Sequence, residues 1–185
     1  MDLVIKVPSW VDSFPTDTRH PTTDTRMEWV LALARANVQH ATGGPFAAAV
    51  FERDSGKLVA AGVNLVLASG YSPLHAEIVA IMRAQQAVGD FRLGAAGRPA
   101  LELVSSTAPC AMCLGAVPWS GVKGLVCGAR DEDARAIGFD EGHKPAGWRA
   151  YLQGRGITVA EDVMRSEAAA ILQEYKKAGG EIYNG

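Results

Sequence analysis

The sequence predicts a three-layer α/β domain built on a mixed sheet, and three observations carry that prediction. Strand and helix signals alternate along most of the chain after an opening hairpin, a pattern that buries one sheet between two layers of helices. The 185 residues suffice for one domain with a substantial core. No internal repeat, low-complexity segment or linker divides residues 1–185.

The elements follow in order. Residues 1–21, with Pro8, Pro15 and Pro21, read as an irregular arm lying on the domain. Thr23-Asp24-Thr25 can cap a helix whose apolar residues Met27, Val30, Leu31, Ala34 and Val38 recur at helical spacing, and Gly43-Gly44-Pro45 stops it. Phe46 to Phe51 and Leu58 to Leu67 read as strands, joined in a hairpin by the turn Asp54-Ser55-Gly56-Lys57. A helix starts at His75 and ends near Gly89. A polar loop leads to the strand Leu101 to Ser105, a helix at Cys110 and the strand Gly124 to Gly128. A short helix near Asp131 to Ala136 precedes a loop from Ile137 to Gly147. Ile157 to Ala160 is a last strand, a closing helix lies within Glu161 to Ala178, and residues 179–185 form a tail.

Composition narrows the function. A net charge of −2 tilts away from docking a large nucleic acid, which usually calls for a basic surface, and toward a small-molecule substrate. Three cysteines make no disulfide framework and point to a reducing compartment. The N-terminus lacks a basic region followed by an apolar stretch, and the uncharged run Leu58 to Ala76 is broken by glycine, proline, asparagine and serine. The expectation is a cytoplasmic protein with neither a membrane nor a nucleic-acid partner.

The most informative residues are His75-Ala76-Glu77 and Pro109-Cys110-Ala111-Met112-Cys113. A closed structural zinc site takes four protein ligands, whereas His75, Cys110 and Cys113 supply three and leave a position for water. H-x-E…P-C-x-x-C is the signature of zinc-dependent nucleobase deaminases, so one Zn²⁺ per chain is expected. Two thiolates and a neutral imidazole bring the ion to a formal charge of zero and acidify its water less than three histidines do. A nearby base should therefore help, and Glu77 is that base. Cys110 and Cys113 share one helix face, Pro109 suits a helix start, and the positive end of a helix favours thiolates. His75 and Glu77 can serve one metal if they lie at the first turn of a helix whose end points at it. A redox C-x-x-C pair and a structural zinc module are the rivals, and the latter predicts a fourth protein ligand. Cys127, in the apolar run Lys123 to Ala129, and Trp119 read as core.

Beyond the metal motif, the chain resembles the cytidine deaminase superfamily, and more closely its bacterial guanine deaminase branch. The resemblance rests also on Gly43-Gly44-Pro45-Phe46-Ala47-Ala48-Ala49-Val50, Trp119-Ser120-Gly121-Val122, Ile137-Gly138-Phe139-Asp140-Glu141-Gly142 and Ile182-Tyr183-Asn184. It implies a five-stranded sheet of order 2-1-3-4-5 sandwiched by helices, a homodimer, and a C-terminal segment able to cover a pocket, the neighbouring subunit's included. Many relatives carry an acid before Pro-Cys, where this chain has Ala108.

The resemblance also makes Glu141, with Asp140, the clue to substrate. Guanine presents N1–H and a 2-amino group, both donors that a carboxylate accepts, while adenine offers an N1 lone pair that a carboxylate repels. Glu141 joins Glu77 as a catalytic candidate. Asn64, Phe46, Ala76, Asp140 and Tyr183 complete the expected substrate-binding set, with Phe46 stacking on the base. The expected reaction is hydrolytic deamination of guanine to xanthine and ammonia. The alternatives are another small amino-azine (a triazine such as ammeline, cytosine, or a purine nucleoside) and adenosine in tRNA.

Overall fold

Small and β-branched residues build the sheet in a computed structural model that describes residues 4–15 and 19–183. A four-residue helical turn, α1 (Ser9–Asp12), lies in the arm and buries Val11, and α2 (Thr23–Gln39) follows. Thr22 caps α2 through a reciprocal pair of hydrogen bonds with Thr25. β1 (Ala47–Glu52) pairs antiparallel with β2 (Leu58–Val63) and with β3 (Leu101–Thr107). β3 runs parallel to β4 (Gly124–Ala129), which runs parallel to β5 (Thr158–Ala160), giving the mixed order β2-β1-β3-β4-β5. That is the expected sheet.

Side-chain alternation assigns the two layers. Ala47, Ala49 and Phe51 of β1 face a core built with Met27, Val30 and Leu33 of α2 and Ile171 and Leu172 of α8 (Arg165–Lys177). Ala48 and Val50 face the opposite core, with Ala80 and Ile81 of α4 (Ala76–Val88) and Leu114 and Val117 of α5 (Ala111–Ser120). β3 and β4 are buried along their whole lengths, as parallel strands covered on both faces must be. Arg26 of α2 forms a buried 2.5 Å ion pair with Glu102 of β3 and donates to the carbonyl oxygens of His20, Pro21 and Arg53, which anchors the arm.

Four details differ from the sequence expectation. The second strand stops at Val63 instead of Leu67, because the Asn64 Oδ1 atom accepts from the Val66 amide and turns the chain into the short helix α3 (Val66–Ser69). The arm is not wholly irregular, since it contains α1. After α6 (Asp131–Ile137), an unexpected helix α7 (Trp148–Gly154) buries Trp148 and Leu152, four residues apart, on one face. Trp119 is not core: it stands 83% exposed on α5, with half-exposed Met112 two turns before it. Asn184 of the tail lies outside the described residues. Among the described residues no helix is long and apolar enough to cross a membrane.

Candidate metal centre and active site

Two helix starts converge on one point. His75 is the N-cap residue of α4 and Cys110 the N-cap residue of α5, while Cys113 sits one turn inside α5 and is fully buried. The positive ends of both helices therefore face the same place and favour the thiolates. The ligand atoms of His75, Cys110 and Cys113 all lie within 4.8 Å of one another, and His75 Nδ1 is 3.4 Å from Cys110 Sγ. A tetrahedral zinc, with bonds of about 2.3 Å to sulfur and about 2.0 Å to nitrogen, sets such a pair roughly 3.5 Å apart, so the three residues fit the ion. This is the one such cluster among the described residues, and it contains no fourth protein ligand.

The local electrostatics suit a cation. A hydrogen bond from Cys113, with a second from His75, pushes the Cys110 thiol down to about 4, while Cys113 keeps its proton against that thiolate. Burial is the largest single influence and opposes a charged His75 imidazole, but the Cys110 hydrogen bond and the charges of Cys110, Glu77 and Glu141 together outweigh it and raise the histidine. Glu77, buried in the first turn of α4, is pushed up by burial and then by Cys110. Cys127 lies apart on β4, fully buried, with its thiol pushed up by burial.

A cavity of about 30 Å³ opens beside Cys110. His75, Cys110 and Glu77 form one wall and Glu141 another. Glu141 is buried, and burial pushes its carboxyl up to about 8 against the opposing pull of Lys144. Asn64, which follows β2, is buried at the cavity with its Oδ1 atom held by the Val66 amide, so its NH₂ group is what it offers a ligand. Phe46 meets Phe139 edge-on at 4.9 Å, and Phe139 meets Tyr183 at 5.1 Å, closing the aromatic side. In the single chain, Tyr183 thus lies over its own cavity.

The expected set is brought together with two qualifications. Ala76 does not line the cavity, and its methyl group packs into the core under β1. Asp140 reaches the rim, but its carboxylate accepts from the Gly142 amide at 2.9 Å and from Arg135 at 3.3 Å, bracing the loop. A side chain at Gly43 or Gly44 would strike the Asn64 carbonyl or the Tyr183 hydroxyl, each 2.2 Å away, which explains the paired glycines.

Several contributing residues were not singled out in the sequence. Asn37, fully buried in α2, donates to the carbonyl oxygens of Gly44 at 2.8 Å and Asn64 at 3.1 Å, fixing both walls. Its signal is a polar residue three positions after Ala34 on an apolar helix face. Phe139 stood beside the selected acids but was not chosen. Thr107 lines the cavity from the end of β3 and had no signal at all.

Comparisons with known proteins place the chain among deaminases. The model of the cytidine and deoxycytidylate deaminase zinc-binding region matches residues 22–129. A guanine deaminase from Bacillus subtilis is 34% identical over 118 residues, 64% of this chain and 71% of that one. A tRNA-specific adenosine deaminase from Haemophilus influenzae is 33% identical over 149 residues, 78% of each chain. The solved guanine deaminase from Nitrosomonas europaea is 48% identical, with a TM-score of 0.91 over 95% of this chain and 97% of that one. A structure in complex with 2,6-diaminopurine is 49% identical, with a TM-score of 0.92 over 98% of this chain and 96% of that one.

Proposed function

The chain belongs to the cytidine and deoxycytidylate deaminase zinc-binding family, and from that membership we propose that it converts guanine and water to xanthine and ammonia. The observation that carries the choice of guanine is buried Glu141, which lines one cavity with Glu77 and the three-ligand metal cluster; burial raises its carboxyl, while Lys144 and a bound zinc cation favour the ionised form. A carboxylate there matches the two donors of guanine and opposes the N1 lone pair of adenine. The 48% identity over nearly the whole chain to a guanine deaminase supports the same choice over tRNA adenosine.

One zinc ion per chain, held by His75, Cys110 and Cys113, supplies Lewis-acid activation of the attacking water when bound. Glu77 takes a proton from that water as oxygen bonds to C2, and delivers it to ring nitrogen N3. Glu141 accepts from N1–H and the 2-amino group, orienting the base. As the C2–N bond breaks, the remaining proton on the C2 hydroxyl passes through Glu77 with Glu141 to the 2-amino group, which leaves as ammonia and leaves a carbonyl at C2. The Asn64 NH₂ group donates to an acceptor on the ring, and Phe46 and Phe139 flank its plane. The tight cavity makes the Tyr183 tail the piece that yields as the base enters. We further read the protein as a cytoplasmic homodimer whose contact includes Met112 and Trp119, seven residues apart on one stripe of α5.

The test is ammonia release from a panel of guanine, adenine, cytosine, guanosine and ammeline, together with tRNA binding at physiological salt. Guanine should lead. Turnover confined to adenosine in tRNA would overturn the reading, and a preference for ammeline would replace the substrate while keeping the donor-matching logic.

A further inference from the structure

Resting on the nucleobase deaminase reading, one polar group in the cavity still lacks an explanation. Thr107 ends β3 only 4% exposed, and its Oγ1 atom is buried with no hydrogen-bond partner. Its neighbour Ser106 shows the ordinary outcome, accepting from the Ala47 amide at 3.1 Å. A buried hydroxyl left unpaired destabilises the free protein, and a valine of the same shape avoids that penalty. Threonine is stiff at χ1, so on a strand it cannot swing freely to another acceptor.

We propose that Thr107 is a substrate-binding, specificity-determining residue whose hydroxyl donates to an acceptor atom of the bound base. The composition of the cavity supports this assignment. Glu77 and Glu141 as carboxylates only accept, and they serve the donor edge of the base. A purine with a carbonyl also presents acceptors, O6 and the ring nitrogens, which need donors. Among the lining side chains outside the metal cluster, the neutral ones able to donate are Asn64, Thr107 and Tyr183. Thr107 is the one of these on a central, fully buried strand, so it presents its donor in the most rigid position. It adds a fixed requirement for an acceptor atom on the base.

The test uses Thr107→Val and Thr107→Ser in the full, zinc-loaded chain. Three quantities are measured: KM and kcat for guanine, the melting temperature without ligand, and its shift with 8-azaguanine. For Thr107→Val, KM should rise about 5- to 15-fold with kcat changed less than about threefold, as expected for one neutral hydrogen bond made equally in ground and transition states. The ligand-free melting temperature should rise by about 2–4 °C as the orphaned hydroxyl disappears, while the shift with 8-azaguanine shrinks. Thr107→Ser should restore KM to near the wild-type value. A valine variant with unchanged KM and an unchanged 8-azaguanine shift would overturn the proposal. So would a valine variant that melts lower without ligand, because the hydroxyl would then be structural. Failure of the wild type to act on guanine is a separate result that strikes the proposed function. The shift comparison, run with the base the panel selects, then still decides the role of Thr107.

Discussion

Lys144 donates from Nζ to the carbonyl oxygen of Pro109 at 2.7 Å, tying the loop that carries Glu141 to the residue preceding Cys110. The amide of Ala111 closes the same junction by donating to the Glu141 carbonyl at 2.9 Å. Lys144 is held in turn by Asp131 at 2.5 Å, with its side chain only 9% exposed. These bonds join the start of α5 to the loop that carries Glu141. Ala108 lines both the cavity beside Cys110 and the neighbouring cleft that Lys144 and Asp131 also line.

Replacing Lys144 with methionine should loosen that junction. The hydrogen bond orients the Pro109–Cys110 peptide, and outer partners of metal ligands typically govern 10- to 100-fold in affinity. Chelator competition should show a loss of about 10-fold or more in zinc affinity for Lys144→Met, with a smaller loss for Lys144→Arg. Cobalt(II) substituted into the site should show an altered thiolate charge-transfer band. Unchanged affinity and an unchanged band would mean that the lysine only decorates the loop.

Glu77→Gln should separate metal binding from chemistry. The carboxylate lines the cavity but does not belong to the ligand cluster, so zinc should remain stoichiometric. Turnover should fall by about 100- to 10,000-fold, the range for a lost general acid–base group. Elemental analysis with single-turnover rates checks both halves. A metal-free variant would make Glu77 a ligand, and near-normal turnover would move the proton transfer elsewhere.

These two residues mark what the sequence made legible. The metal cluster was readable because its chemistry is local: spacing and Pro109 place His75 and Cys110 at helix starts, where the macrodipole and reach both favour a cation. The sheet was readable because alternating strand and helix patterns restrict the topology. The Lys144–Pro109 bond spans 35 positions and had no local signal. The same holds for Thr107, whose partner is not part of the chain. The second strand was read too long because Val66 and Leu67 are apolar, while a single Asn64 side-chain bond ends the strand. Helix α7 shows only two buried positions, too few for a periodic signal. Trp119 was placed in the core on hydrophobicity alone, though on α5 it lies on the outer stripe with Met112.

The three cysteines should react in two classes. Cys127 is buried and its thiol pushed up by burial, so it has little thiolate and no access. With zinc bound, the ligand thiolates are protected as well. Titration with a chromogenic disulfide should find almost no fast thiol in the loaded protein, and after chelation Cys110 should lead, since Cys113 is buried and holds its proton. Cys127 should appear only in denaturant. Three fast thiols on chelation would mean that the metal holds the whole domain together.

Glu141→Gln tests the substrate choice most directly. The side chain is buried at the cavity, and its loop is braced by the Asp140 bonds to Arg135 and Gly142, so the substitution should leave the backbone in place. Glutamine keeps the size but turns one acceptor into an NH₂ donor, which then faces the N1–H and 2-amino donors of guanine. Losing a charge-assisted hydrogen bond and gaining a donor–donor conflict should lower kcat/KM for guanine by at least about 100-fold, with zinc still bound. The same amide can donate to the N1 lone pair of an adenine-like edge, so binding of 2-aminopurine should weaken less than binding of guanine. Equal losses for the two bases would show that Glu141 acts only as a proton carrier. A mutant that processes guanine normally would reduce it to a buried loop acid and remove the main reason to prefer guanine as the substrate.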